Sequence, residues 1–142
     1  MRIIQNNKFM HRALLAYWLL LPSSFLVLVL LLLLDTGDSF MELLTSVPSL
    51  SLGLLLSCLS FFLAYQFHHL YEQAGMKKFL FVALLQQVFT LNFIGAGLAY
   101  LNWRLTDSEN KKEKLPLIHL FLLGFTVVFS LLAVFVLTQS VT

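Results

Sequence analysis

Four long apolar stretches, separated by short polar segments, dominate the pattern of hydrophobic and polar positions along the chain. They cover approximately residues 13–34, 49–67, 79–103 and 117–137. About 20 apolar residues, at about 1.5 Å of helical rise each, cover the hydrocarbon core of a bilayer. The pattern therefore predicts an all-α integral membrane protein in which residues 1–142 form a single polytopic domain, a four-transmembrane-helix bundle.

The first stretch follows three basic residues, Arg2, Lys8 and Arg12, and so shares one feature with a secretory signal peptide. The apolar core of a signal peptide has about 7–15 residues and ends at a small-residue cleavage site. This stretch is longer, and no such site follows Leu34. We therefore expect a retained membrane anchor.

Composition excludes an ordinary soluble domain. Hydrophobic residues make up 59% of the chain and charged residues 11%, with a net charge of +2, whereas about a quarter of the residues in soluble domains are charged. The chain has no basic face for nucleic acid. The single cysteine, Cys58, excludes a dithiol oxidoreductase.

The positions of Lys and Arg indicate how the chain is oriented in the membrane, because these residues are enriched on the cytoplasmic side. Three lie before the first stretch, none after it, two after the second (Lys77, Lys78) and four after the third (Arg104, Lys111, Lys112, Lys114). Four crossings would divide them almost equally between the two sides. An alternative is that the third stretch is re-entrant, which would gather all of them on one side. We expect four crossings, a cytoplasmic N-terminus and a cytoplasmic (inner) membrane.

The second stretch carries small residues, Gly53, Ser57 and Ser60, at steps of four and three, which place them on one face of a helix. Small residues allow close helix packing in lipid, so this face is predicted to be a packing seam. The residues 40–44 before it are predicted to form a short helix on the membrane surface.

The third stretch is the most polar. On a continuous helix Gln86, Gln87 and Thr90 lie on one side and Asn92 on the opposite side. Buried amides need hydrogen-bond partners. These residues are therefore predicted either to bond neighbouring helices together or to line a pocket for a substrate or quinone.

Three histidines, His68, His69 and His119, lie at the ends of predicted spans and are candidate haem ligands. No ligand spacing supports a metal site, and no cofactor is predicted. Aromatic residues including Tyr17 and Trp18 are interpreted as interfacial.

No Asp, Glu, Lys or Arg lies in the middle of a predicted span. Proton pumps and ion-coupled transporters generally place an ionisable residue there, so these classes are not predicted. Catalytic groups do not cluster anywhere in the sequence, so no enzyme is predicted either. We expect a small accessory or structural subunit of a larger membrane complex, whose partners are the lipid bilayer and other subunits or further copies of itself. The alternatives are a small oligomeric transporter or channel for a neutral solute, and a haem- or quinone-binding subunit.

Overall fold

The computed structural model describes residues 2–71, 75–106 and 115–141, which form six α-helices. These are α1 (Arg2–Thr36), α2 (Phe40–Ser46), α3 (Pro48–His69), α4 (Met76–Phe89), α5 (Phe93–Leu105) and α6 (Leu117–Val141). The described part of the chain contains no strand. The predicted all-α fold is therefore confirmed.

Three helices have the length and apolar composition needed to cross a membrane. They are the Asn7–Thr36 part of α1, all of α3, and the Leu117–Val136 part of α6. Large apolar side chains cover their outer surfaces, for example Leu30, Phe121 and Phe135, each more than half exposed. A soluble protein rarely shows so much apolar surface, whereas lipid solvates it readily.

The single helix expected over residues 79–103 is two helices in the structure. Helix α4 ends at Phe89, and Leu91 takes a left-handed backbone conformation with φ 57°. Asn92 then caps α5 by accepting a hydrogen bond from the Gly95 amide at 3.1 Å. The apolar pattern continues through this break, which is why the pattern did not reveal it.

Helices α4 and α5 pack against each other as a hairpin. They contain 14 and 13 residues, so each is only about 20 Å long. The first residues of α4 lie beside the last residues of α5, because the Lys77 ammonium is 5.4 Å from the centre of the Trp103 ring. The hairpin therefore begins and ends at the same end of the bundle.

The N-terminus of α1 lies at this end too. Asn102 donates to the Met10 carbonyl at 3.0 Å, and Asn7 donates to the Leu105 carbonyl at 3.4 Å. We call this the basic end, since Lys8, Arg12, Lys77, Lys78 and Arg104 all belong to helix segments that meet here. Lys111, Lys112 and Lys114 lie outside the described residues.

An aromatic core joins α1, α3 and α4 near the basic end. Trp18 packs edge-on against Phe67 and Phe79, with ring centroids 5.4 and 6.4 Å away. All three side chains are fully buried. The interpretation of Trp18 as an interfacial residue is therefore wrong, because its ring faces other helices instead of the membrane surface.

The opposite end, which we call the acidic end, contains Asp35, Asp38 and helix α2. Ser39 and Glu42 form a reciprocal capping box at the start of α2. Hydrogen bonds from Ser39 to the Glu42 carboxylate lower the pKa of this carboxyl. The larger effect comes from the Ser39 backbone N–H and the smaller one from the Ser39 hydroxyl.

Helix α2 is held against the bundle by apolar contacts. Leu43 packs with Val29 and Leu50, which fastens α2 to α1 and α3. A short helix is therefore present where one was predicted, and its position on a membrane surface stays a prediction.

The turn before α4 yields a testable prediction. Gly75 has φ +88°, and a Cβ there would lie 2.7 Å from Leu115 Cδ1. We expect Gly75→Ala to lower the free energy of unfolding by about 1–2 kcal/mol, because a left-handed conformation is costly for residues with a Cβ. Denaturation with SDS in mixed micelles measures this free energy of unfolding. Gly97→Ala is the control, since a Cβ at Gly97 meets nothing within 4 Å. Equal effects of the two substitutions would contradict the turn geometry.

Candidate functional site

A chain of side-chain hydrogen bonds crosses the middle of the bundle at the tip of the hairpin. Tyr17 donates to Asn92 Oδ1, and Asn92 Nδ2 donates to Gln87 Oε1 at 2.6 Å. Gln87 Nε2 donates to Gln86 Oε1 at 2.6 Å, and Gln86 Nε2 donates to Ser130 Oγ at 2.8 Å. We call these five residues the amide chain. It links α1, α4, α6 and the cap of α5.

The amide chain runs in one direction from donor to acceptor. It ends where the Ser130 hydroxyl donates to the Thr126 carbonyl at 2.7 Å. Bonds arranged head to tail polarise one another in a medium of low dielectric. Gln86 and Gln87 are 4% and 1% exposed, so losing either partner would leave a buried amide unsatisfied.

The local sequence at the tip makes this arrangement possible. The Asn92 backbone N–H donates to the Gln87 carbonyl at 2.8 Å, which turns the chain back after α4. Gly95 then lies against the bonded amides, and a Cβ at this position would be 2.3 Å from Gln87 Oε1. The close approach of backbone and amide therefore requires glycine at position 95.

The break in the helix changes which residues share a face. A continuous helix would place Asn92 opposite Gln87, but the reversal at Leu91 brings the two side chains into contact. The placement of Asn92 on the opposite side is therefore wrong. Its physical cause is the end of α4, after which helical periodicity no longer applies.

A cavity of about 480 Å³ lies between α1, α3 and the hairpin tip. Its apolar wall includes Leu21, Phe25, Leu28 and Leu56. Its remaining lining includes all seven residues that the sequence singled out as candidates for a pocket or a packing seam: Gly53, Ser57, Ser60, Gln86, Gln87, Thr90 and Asn92. The structure thus joins two groups that the sequence assigned to different roles.

The chemistry of this cavity is polar but uncharged. No Asp, Glu, Lys, Arg or His is among the described residues that line it. Ser60 donates to the Leu56 carbonyl at 3.4 Å, and Thr90 to the Gln86 carbonyl at 3.1 Å, which leaves lone pairs of both hydroxyls free. Ser57 makes no hydrogen bond to another described residue. The cavity therefore offers hydroxyl groups beside amide N–H groups, and suits an uncharged ligand.

The candidate haem ligands lie apart from this cavity. The rings of His69 and His119 are neighbours at the basic end, with centroids 5.5 Å apart and planes inclined by 35°. His68 is exposed at the end of α3. Among the described residues, no group of three His, Cys, Asp or Glu side chains could hold a metal ion. The structure therefore brings two of the three histidines together.

Sequence reasoning missed two polar residues at the centre of the bundle, Tyr17 and Gln66. Tyr17 was interpreted as interfacial, but it donates the first bond of the amide chain. Gln66 is fully buried, and neither atom of its amide bonds to a described residue. A polar residue inside an apolar run was the available signal for both, but it does not identify the partner.

Comparisons with protein-family models, curated proteins and solved structures gave no match to this chain. Any functional assignment therefore depends on the geometry of the cavity and the hairpin.

The close contact at Gly95 can be tested. We expect Gly95→Ala to lower the free energy of unfolding by about 1–3 kcal/mol, because the added methyl group separates Gln87 from Asn92 and leaves buried amides unsatisfied. SDS denaturation again gives the free energy. Gly124→Ala is the matched control in α6, where a Cβ meets nothing within 4 Å. A Gly95→Ala protein as stable as this control would refute the hydrogen-bonded tip.

Proposed function

We propose that the chain crosses the membrane three times, through α1, α3 and α6, and that the α4–α5 hairpin is re-entrant from the basic end. The support is the length of α4 and α5, since about 20 Å is too short to cross a hydrocarbon core of about 30 Å. This arrangement also gathers all nine Lys and Arg residues on one side. By the positive-inside rule that side, with the N-terminus, is cytoplasmic, as in a bacterial inner membrane.

Cysteine labelling in sealed vesicles tests this topology. In a Cys58→Ser background, single cysteines replace Lys78 at the start of the hairpin and Thr106 after its end. A membrane-impermeant maleimide is expected to reach both positions from the same side, because both ends of the hairpin lie at the basic end. Asp38→Cys at the acidic end, where the side chain is exposed, is the control and is expected to react from the other side. Labelling of positions 78 and 106 from opposite sides would establish a fourth crossing instead.

We further propose that the protein binds a small uncharged molecule in the cavity at the hairpin tip, as a transporter or channel of neutral molecules does. The observation that carries this proposal is the cavity itself, about 480 Å³ against the amide chain. That volume is within the usual range of small-molecule sites, about 300–1,000 Å³. Such a site is costly to maintain in a helix bundle, where packing alone would favour a filled interior.

The broken helix supports the same conclusion. Transporters commonly bind substrates near the bilayer midplane, between helices that are interrupted there. Here the N-terminus of α5 and the C-terminus of α4 meet at the cavity. Irregular backbone at membrane depth is tolerated where it is buried in protein or lines a polar cavity. The uncharged lining argues against a charged substrate and against proton coupling through a carboxylate in the cavity.

The unfolding temperature of the purified protein, measured with and without added ligand, tests this binding function. Benzyl alcohol has a ring for the apolar wall and a hydroxyl for the serines, so we expect it to raise the unfolding temperature of the purified protein. Benzoate and benzylamine are matched in size but charged, and we expect no increase from them. A ligand that binds only the folded state stabilises it by about 2.7 kcal/mol at 100 times its Kd.

Two neighbouring residues in α3 provide the variant and its control. Ser57 lines the cavity, whereas Cys58 is exposed on the outside of the helix. We expect Ser57→Leu to fill the cavity and abolish the increase with benzyl alcohol, and Cys58→Leu to retain it. Equal responses of both variants, or an equal response to the charged probes, would refute the proposed site.

A structural subunit of a larger membrane complex is the second candidate. The observation that favours it is that the amide chain bonds mainly within the protein and so fastens four elements together. Purification in a mild detergent distinguishes the two functions. A larger partner in stoichiometric amount would favour the accessory role, and visible absorbance lost in His69→Ala or His119→Ala would favour a haem-binding subunit.

A further inference from the structure

Packed apolar clusters lie on both sides of the cavity along the axis of the bundle. Toward the basic end lie the hairpin tip and the core around Trp18. Toward the acidic end, Phe25 is both part of the cavity wall and part of the cluster around Val29, Leu43 and Leu50. Helix α2 belongs to that cluster. A molecule arriving from the water on either side would therefore have to pass through packed apolar side chains.

The cavity is open at its side. Three of its lining residues also contribute to the outer surface of the bundle: Ser24 is exposed, Leu28 is 47% exposed and Leu91 is 72% exposed. Ser24 and Leu28 lie one turn apart on α1, and Leu91 is at the hairpin tip. This rim lies within the apolar part of α1, so its surroundings in a membrane are acyl chains.

The short hairpin is the physical cause of the side opening. In the half of the bundle near the basic end, α4 and α5 fill the space beside α1 and α3. Beyond the tip at Leu91, neither helix continues, and the cavity takes that space between α1 and α3. Leucine in the left-handed conformation is unusual, and here it holds an apolar side chain at the edge of the opening.

We propose that the cavity takes the uncharged polar head of a lipid-soluble amphiphile, which enters sideways from the bilayer and leaves its tail among the acyl chains. This inference rests on the proposed binding function and narrows the ligand class. Entry from lipid follows from the packed clusters on both sides of the cavity along the axis and from the exposed rim at its side. An uncharged head follows from the lining, since the described lining residues include no cation to neutralise a phosphate.

The hydrogen-bonding groups define the head more closely. Ser57 has no hydrogen-bond partner among the described residues and can both donate and accept. The side-chain amides of Gln87 and Asn92 each retain one N–H beyond the bonds that they make. A hydroxyl or glycerol head, with donors and acceptors together, satisfies both kinds of group. The ring of Phe25 and the side chain of Leu28 then cover the first carbons of the tail.

Photo-crosslinking in phosphatidylcholine vesicles tests this proposal. The probes are a diacylglycerol and a phosphatidate with the same diazirine-bearing acyl chain, so they differ only in the head, which is an uncharged hydroxyl in the first and a charged phosphate in the second. We expect the diacylglycerol to label the segments containing Leu28 and Leu91 about tenfold more than the phosphatidate does, a ratio equivalent to about 1.4 kcal/mol of binding free energy. Excess unlabelled diacylglycerol is expected to compete.

Two adjacent serines provide matched variants. Ser23 and Ser24 are both exposed, and their hydroxyls bond to the carbonyls of Leu19 and Leu20 at 2.8 and 2.6 Å. Only Ser24 is part of the cavity lining described here. We expect Ser24→Phe to block the opening and reduce labelling by diacylglycerol about tenfold, and Ser23→Phe to leave it unchanged. Neither substitution disturbs a buried side chain.

The outcomes separate this inference from the binding function. Equal labelling by the two lipids, or no effect of Ser24→Phe, would mean ordinary contact with surrounding lipid and would overturn the inference. Crosslinks between two copies of the chain at Leu28 would overturn it in favour of a dimer contact. If diacylglycerol fails to label while benzyl alcohol still stabilises the protein through Ser57, lateral entry is wrong and the binding function stands. If both fail, both proposals are wrong.

Discussion

A break in a helix inside a membrane must have its polar groups bonded by the protein, because lipid offers them no partners. At the hairpin tip, Asn92 meets most of this requirement. Its side-chain oxygen, Oδ1, accepts hydrogen bonds from the Tyr17 hydroxyl and from the Gly95 backbone N–H. Its side-chain nitrogen, Nδ2, donates to Gln87 Oε1. These bonds fix the end of α4, the start of α5 and their distance from α1. The hairpin, the cavity and the gathering of basic residues all depend on this turn.

The turn leaves part of the bundle without a helix. Because α4 and α5 are short, they pack beside α1 and α3 along only part of the length of the bundle. Trp18, Phe67 and Phe79 fill the region near the basic end with aromatic contacts. Farther along, Ser57 and Ser60 of α3 line the cavity. Gly53 lies at the edge of the cavity in close contact with α1, since a Cβ there would lie 2.7 Å from the Phe25 ring.

The amide chain gives the site its chemical character. An interior of hydrocarbon alone would bind apolar molecules without orientation, whereas fixed amides and hydroxyls favour one arrangement of a polar head. The amides are held by one another, so the proposed ligand would require little reorganisation of them. The same bonding explains how three neutral polar side chains, Gln86, Gln87 and Asn92, persist near the middle of a membrane protein. In the proposed binding function, the groups that stabilise the fold are the same ones that would bind the ligand.

The amino-acid sequence by itself determined three helices long and apolar enough to cross a membrane, the short helix α2 and the polar residues that line the cavity. Apolar runs and small-residue spacing carry that information because it is local and periodic. Only the tertiary structure decided that residues 79–103 reverse direction, since an apolar run looks the same whether its helix is continuous or broken. The partners of Tyr17 and Asn92 were hidden for the same reason. A hydrogen bond between residues 75 positions apart depends on how helices pack, and no local pattern encodes it.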